Sequence, residues 1–221
     1  MENDIFKRTE AESHGGRISA NVYNLLIGLV LCWGFLVNWV MVRTIPYDLI
    51  AGINFWVFLI GYLACCFLGI YMFRSSDSPV ISFIGYNFVV VPFGLVVNLV
   101  VYQYDEAIVL DAVRITGLVS FGMMILGSIF PAFFRRIAGA LTIALITVII
   151  VEVVEIYMFG IHHGILDWIV AVIFCGYIGY DWGRANSIPK TVDNAVDSAA
   201  ALYMDIINLF IRILRILGRR R

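Results

Sequence analysis

Charge is the scarcest property of this chain. Only 14% of its 221 residues are Asp, Glu, Lys or Arg, 62% are hydrophobic and the mean hydropathy is +0.92, whereas soluble domains carry about 25% charged residues. So few charges do not suit a domain solvated by water, and the chain reads as an integral membrane protein. Lysine is confined to Lys7 and Lys190; neither lies in the last apolar run, which excludes a retinal Schiff base there. The net charge is −1 and the short tail Arg219, Arg220, Arg221 is the sole basic run, so no nucleic-acid surface is expected. Cys32, Cys65, Cys66 and Cys175 sit in apolar runs without CxxC or Cys/His spacing and read as small core residues. His162 and His163 stand together in a glycine-flanked loop, with no serine nucleophile elbow and no metal-ligand spacing. No enzyme activity and no cofactor are expected; a metal is neither indicated nor excluded.

What fills the chain is a series of apolar runs longer than the roughly 18 to 20 residues that cross a bilayer. Residues 1–17 read as a cytoplasmic N-terminal segment carrying Glu2, Asp4, Glu10 and Glu12, and the run that follows is too long for a signal-peptide core. Runs over Ile18 to Val42 and Leu49 to Phe73 give two helices, Pro79 opens a third that reaches Tyr104, and a fourth covers Ile115 to Phe134. A fifth starts at Ile137 and meets Glu152 and Glu155 late, a sixth starts near Ile165 and stops before Pro189, and a seventh covers about Val192 to Leu217. The expectation is a seven-helix transmembrane domain over 18–217 with a basic tail over 218–221.

Seven spans place Lys7, Arg8, Arg17, Arg74, Arg135, Arg136, Arg184 and Lys190 on one side and leave Arg43 and Arg114 in the loops of the other. The positive-inside rule then puts the N-terminus in the cytoplasm of a multi-pass cell-membrane protein. The tail arginines argue the other way, and a seventh segment lying in the interface would return them to the cytoplasm.

An acid inside hydrocarbon costs about 2.5–3.5 kcal/mol or more and needs a partner. Asp181, near the cytoplasmic end of span six, and Asp205, about a dozen residues into span seven, are the two that qualify. A short connection around Pro189 makes these spans an antiparallel hairpin, so both acids belong to the cytoplasmic half. On span seven Asp197, Ala201, Asp205, Asn208, Arg212 and Arg215 fall on one narrow stripe that cannot face lipid; an interfacial amphipathic helix is the alternative. On span six Gly176, Gly179 and Gly183 form a small-residue seam, opposite Tyr177, Asp181 and Arg184. Asp181 either forms a local i,i+3 pair with Arg184 or meets Asp205, in which case the two carboxyls share a proton and titrate as one unit. Glu152 and Glu155, at i,i+3 spacing near the outer end of span five, are candidates for cation access. With Asp48, Asp105, Glu106, Asp111 and Asp167 they form either an acidic mouth that concentrates cations or an ordinary solvated rim.

The segment Ala201-Leu202-Tyr203-Met204-Asp205-Ile206-Ile207-Asn208-Leu209-Phe210 resembles the final helix of the Bax inhibitor-1 family, the transmembrane Bax inhibitor motif proteins, in its bacterial branch. Tyr180-Asp181 and the spacing from Asp181 to Asp205 suit the family too, and Arg74 after Met72-Phe73 resembles its helix-two arginine. The chain departs from the pattern at Trp182-Gly183, at Arg135-Arg136-Ile137-Ala138, and in having no acid in span two. The resemblance implies two three-helix layers around a central C-terminal helix in the bacterial inner membrane. It also implies a pH-sensitive Ca²⁺ leak in which H⁺ controls the Asp181/Asp205 pair. The mechanism expected from these residues is that ionised Asp181 latches onto Arg74, with Arg184, Asn208 and Tyr177, which share the helix faces of the two acids, as accessory groups. The alternative it carries is a regulator that binds and restrains a membrane-bound AAA protease, with Glu2 to Glu12 as the handle.

Overall fold

The computed structural model describes residues 16–160 and 163–219, apart from the Phe159 side chain. The acidic N-terminal segment with Glu2 to Glu12, His162, and Arg220 and Arg221 of the tail lie outside the described residues. Among the described residues the chain is helical without strands: α1 (Ala20–Thr44), α2 (Tyr47–Ala51), α3 (Phe55–Ser75), α4 (Pro79–Val101), α5 (Glu106–Ile129), α6 (Pro131–Val154), α7 (Gly164–Ala185) and α8 (Val192–Gly218). Six of these, α1 and α3 to α7, are long and apolar enough to cross a membrane. The described residues are thus all-helical and suited to lipid, as composition predicts.

Local chemistry sets the ends. Ser19 caps α1 by accepting from the Val22 amide at 3.3 Å. Asn54 accepts from Trp56 and Val57 at 3.0 and 3.4 Å, so the run expected to start at Leu49 is divided into the short α2 and a separate α3. Pro79 and Pro131 each open a helix, where a missing N–H costs nothing. Pro131 also moves the expected boundary between the fourth and fifth helices, so Arg135 and Arg136 lie inside the first turns of α6 rather than in a loop. Glu106 and Asp111, read as a polar connection, belong to α5, because acids suit the positive N-terminal end of a helix dipole. A π-turn over Glu155–Phe159 extends α6 and ends at Gly160, whose φ of 63° is left-handed.

The chain divides into two compact units. The first contains α1 to α4 and α8 up to Tyr203, with α4 packed on both α1 and α3. A Cβ on Gly85 of α4 would stand 2.7 Å from the Gly69 carbonyl of α3, so these two backbones approach as small-residue membrane helices do. Several buried polar groups in this unit are bonded: Tyr86 donates to the Val30 carbonyl at 3.1 Å, the Asn38 amide nitrogen to the Tyr203 hydroxyl at 2.5 Å, and Ser82 to Asp193 at 2.7 Å. Tyr23 lies 3.0 Å from the Ser198 hydroxyl. Asn98 donates to the Ile45 and Met41 carbonyls at 2.9 and 3.2 Å and so satisfies the end of α1.

The second unit contains α5, α6, α7 and α8 from Met204 onward. Here α7 packs on both α5 and α6. The seam Gly176, Gly179 and Gly183 makes this fit: a Cβ on Gly176 would meet Leu141 at 2.8 Å, one on Gly179 would meet Phe134, and one on Gly183 would stand 3.0 Å from the Gly127 carbonyl.

Candidate functional site

With its glycine seam turned to α5 and α6, α7 carries Tyr177, Asp181 and Arg184 elsewhere on its surface. The second half of α8 supplies Asp205, which is buried. The Asp205 carboxyl stands beside that of Asp181. A hydrogen bond between two carboxyl groups requires a proton on one of them, since an ionised carboxylate only accepts. Asp205 Oδ2, also buried, has no hydrogen-bond partner among the described residues.

Asp181 also stands 3.8 Å from the Arg184 guanidinium, which lies over the Tyr180 ring at 5.4 Å. Asp181 thus has the Asp205 carboxyl beside it and a cation on its own helix. The Tyr177 hydroxyl donates to Thr142 at 2.9 Å and senses the charge of both aspartates without bonding to them. Asn208 donates to the Met204 carbonyl at 2.7 Å, back onto its own helix. Arg74 is exposed in the last turn of α3, in the other unit, and none of the described ion pairs includes it.

A second charged cluster lies at the start of α7. Asp167 has no exposed surface. Arg212 donates to it at 2.9 Å, and Arg219 and Arg215 reach its two oxygens at 3.2 and 3.9 Å. Arg212 also grips Glu152 of α6 with both terminal nitrogens, Nη2 to Oε2 at 2.9 Å and Nη1 to Oε1. Glu155 accepts from the His163 amide at 3.3 Å and lies 2.9 Å from its Nδ1. The two glutamates expected to offer cation access thus each face a basic side chain, and Asp167, read as part of a rim, is sealed away from solvent.

Sequence reasoning missed this cluster. Its signal was the i, i+3, i+7 spacing of Arg212, Arg215 and Arg219, which puts three guanidiniums on one side of α8 and requires acids opposite. Among the described residues no group of three or more His, Cys, Asp or Glu side chains could hold a metal ion.

Residues 17–221 match the family described as Inhibitor of apoptosis-promoting Bax1. A Helicobacter pylori protein described as uncharacterized is 28% identical over 174 residues, 74% of this chain and 71% of its own. An uncharacterized membrane protein of Streptococcus pyogenes serotype M3 is 28% identical over 136 residues, 57% of this chain; the match spans 58% of that relative's length. A BI1-like protein of Arabidopsis thaliana is 52% identical over 48 residues, 21% of this chain and 18% of its own.

Proposed function

Since the chain belongs to the Bax inhibitor-1 family of membrane proteins, we propose that it passes Ca²⁺ down its gradient as a pH-sensitive leak gated by the Asp181 and Asp205 carboxyls. The observation that carries this reading is the closeness of the Asp181 and Asp205 carboxyls, the second of them buried, because a proton shared between them would couple the fit of α7 and α8 to pH. While the pair holds one proton, Asp181 keeps its contact with Arg184 and the leak is shut. A second proton removes the last negative charge of the pair, and Arg184 lets go. A fully protonated pair also attracts Ca²⁺ less, so flux rises through a single titration as pH falls and levels off below what release of Arg184 alone would allow.

The same reading takes α8 as a seventh span, with the N-terminus in the cytoplasm. Its 27 residues cover about 40 Å, enough to cross a bilayer. The tail arginines argue by count for the opposite orientation, while in the structure Arg212, Arg215 and Arg219 stand against Asp167 and Glu152.

The test is Ca²⁺ flux by the full chain in protein-free liposomes over about pH 5 to 8, with Asp205→Asn beside it. Wild type should respond to pH and Asp205→Asn should not; an unchanged profile in the variant refutes the gate. Wild-type protein that moves no Ca²⁺ but co-purifies with a membrane-bound AAA protease would make it a regulator instead.

A further inference from the structure

The cluster at the start of α7 has no part in the leak as described, yet it concentrates charge where a helix bundle tolerates it least. Neutralising Asp167 takes one cation, and three reach it. Arg212 stands apart from the other two because it bonds carboxylates on two helices, Glu152 of α6 and Asp167 of α7. Sliding or turning α8 past α7 breaks all of these bonds together. Asp205 lies seven residues before Arg212, two turns and about 10.5 Å along one face of a single helix. A helix is stiff over that length, so fixing the guanidinium fixes the carboxyl.

Resting on the reading of Asp181 and Asp205 as a gate, we infer that Arg212, clamped between Glu152 and Asp167, is the positioning residue that sets α8 against α7 and thereby how the two aspartates share a proton. The groups around the pair are Tyr177 and Arg184 of α7. Those around the clamp are Arg215 and Arg219 on Asp167, with the Glu155–His163 pair nearby on the π-turn. The clamp and the pair are joined by α8 itself, which carries both Arg212 and Asp205.

Two readouts test this on the full chain: infrared difference titration of the carboxyl C=O stretch in nanodiscs, and Ca²⁺ flux in liposomes. The band of the pair is identified by its loss in Asp205→Asn. Arg212→Gln should shift the midpoint of that band by about half a pH unit or more and raise flux at neutral pH about tenfold. Arg212→Lys keeps the charge without the two-pronged grip and should fall between. Glu152→Gln should shift the midpoint in the same direction by less, and it carries the comparison if Arg212→Gln does not fold.

Midpoints equal to wild type in both Arg212→Gln and Glu152→Gln overturn the positioning role. A pair that titrates, and shifts as expected, in a protein that moves no Ca²⁺ overturns the leak and leaves the positioning role standing. Absence of any Asp205-dependent band overturns both.

Discussion

Replacing Asp167 with asparagine keeps the shape of a fully buried side chain and removes the charge that three guanidiniums face, at 2.9, 3.2 and 3.9 Å. With an effective dielectric of about 20, one unit pair at about 4 Å is worth about 4 kcal/mol. Against this stands a desolvation cost of several kcal/mol for the carboxylate, which the asparagine side chain escapes. The difference falls in the range of about 3–5 kcal/mol found when one partner of a buried pair is removed, because Arg212 then keeps only Glu152 while Arg215 and Arg219 lose the acid they face. Asp111→Asn is the control: its pair with Arg114, at 3.5 Å, has side chains 44% and 67% exposed, and its loss should cost about 0–1 kcal/mol. Reversible unfolding by SDS in mixed micelles compares the two variants. Losses within about 1 kcal/mol of each other would refute the view that the cluster holds α8 to α6 and α7.

Two further outcomes are expected. Gly127→Ala drives a methyl group into the Gly179 carbonyl across the α5–α7 contact and should cost about 1–3 kcal/mol, while Gly117→Ala, with nothing within 4 Å on the same helix, should be neutral or stabilise by up to about 1 kcal/mol; thermal unfolding of both checks this. Asn98→Ala removes the donor to the Ile45 and Met41 carbonyls and should cost about 1–3 kcal/mol, with amide exchange faster at the end of α1 than at its start.

Much of the fold is legible from hydropathy, because a 20-residue apolar run has few alternatives to a helix in lipid. The bounds of α7 and α8 follow from Gly164, Pro189 and the loss of apolar character, and the glycine seam on α7 follows from i,i+3 and i,i+4 spacing. Helix ends decided by single polar atoms are harder to read: Asn54 splits off α2, Pro131 starts α6 early, and Glu106 starts α5 inside a stretch that reads as polar loop. At the site, the antiparallel hairpin brings Asp181 toward Asp205 by chain geometry alone. The environment of Asp167 has no such local signature, since its partners lie 45 and more residues along the chain and its burial depends on how they fold back over it. Glu152 illustrates the same limit, for spacing shows which side of α6 it occupies but not that a guanidinium waits there.

The long separation between Asp167 and its arginines has a consequence for biosynthesis. Glu152 and Asp167 are translated 60 and 45 residues before Arg212, so until the last helix is made the nascent protein holds two acids whose counter-charges do not yet exist. Completion of the last helix is therefore also the moment at which the earlier helices become electrically balanced. A product terminated before Arg212 would present uncompensated acids to membrane quality control, and such chains should be degraded faster than those ending just beyond Arg219.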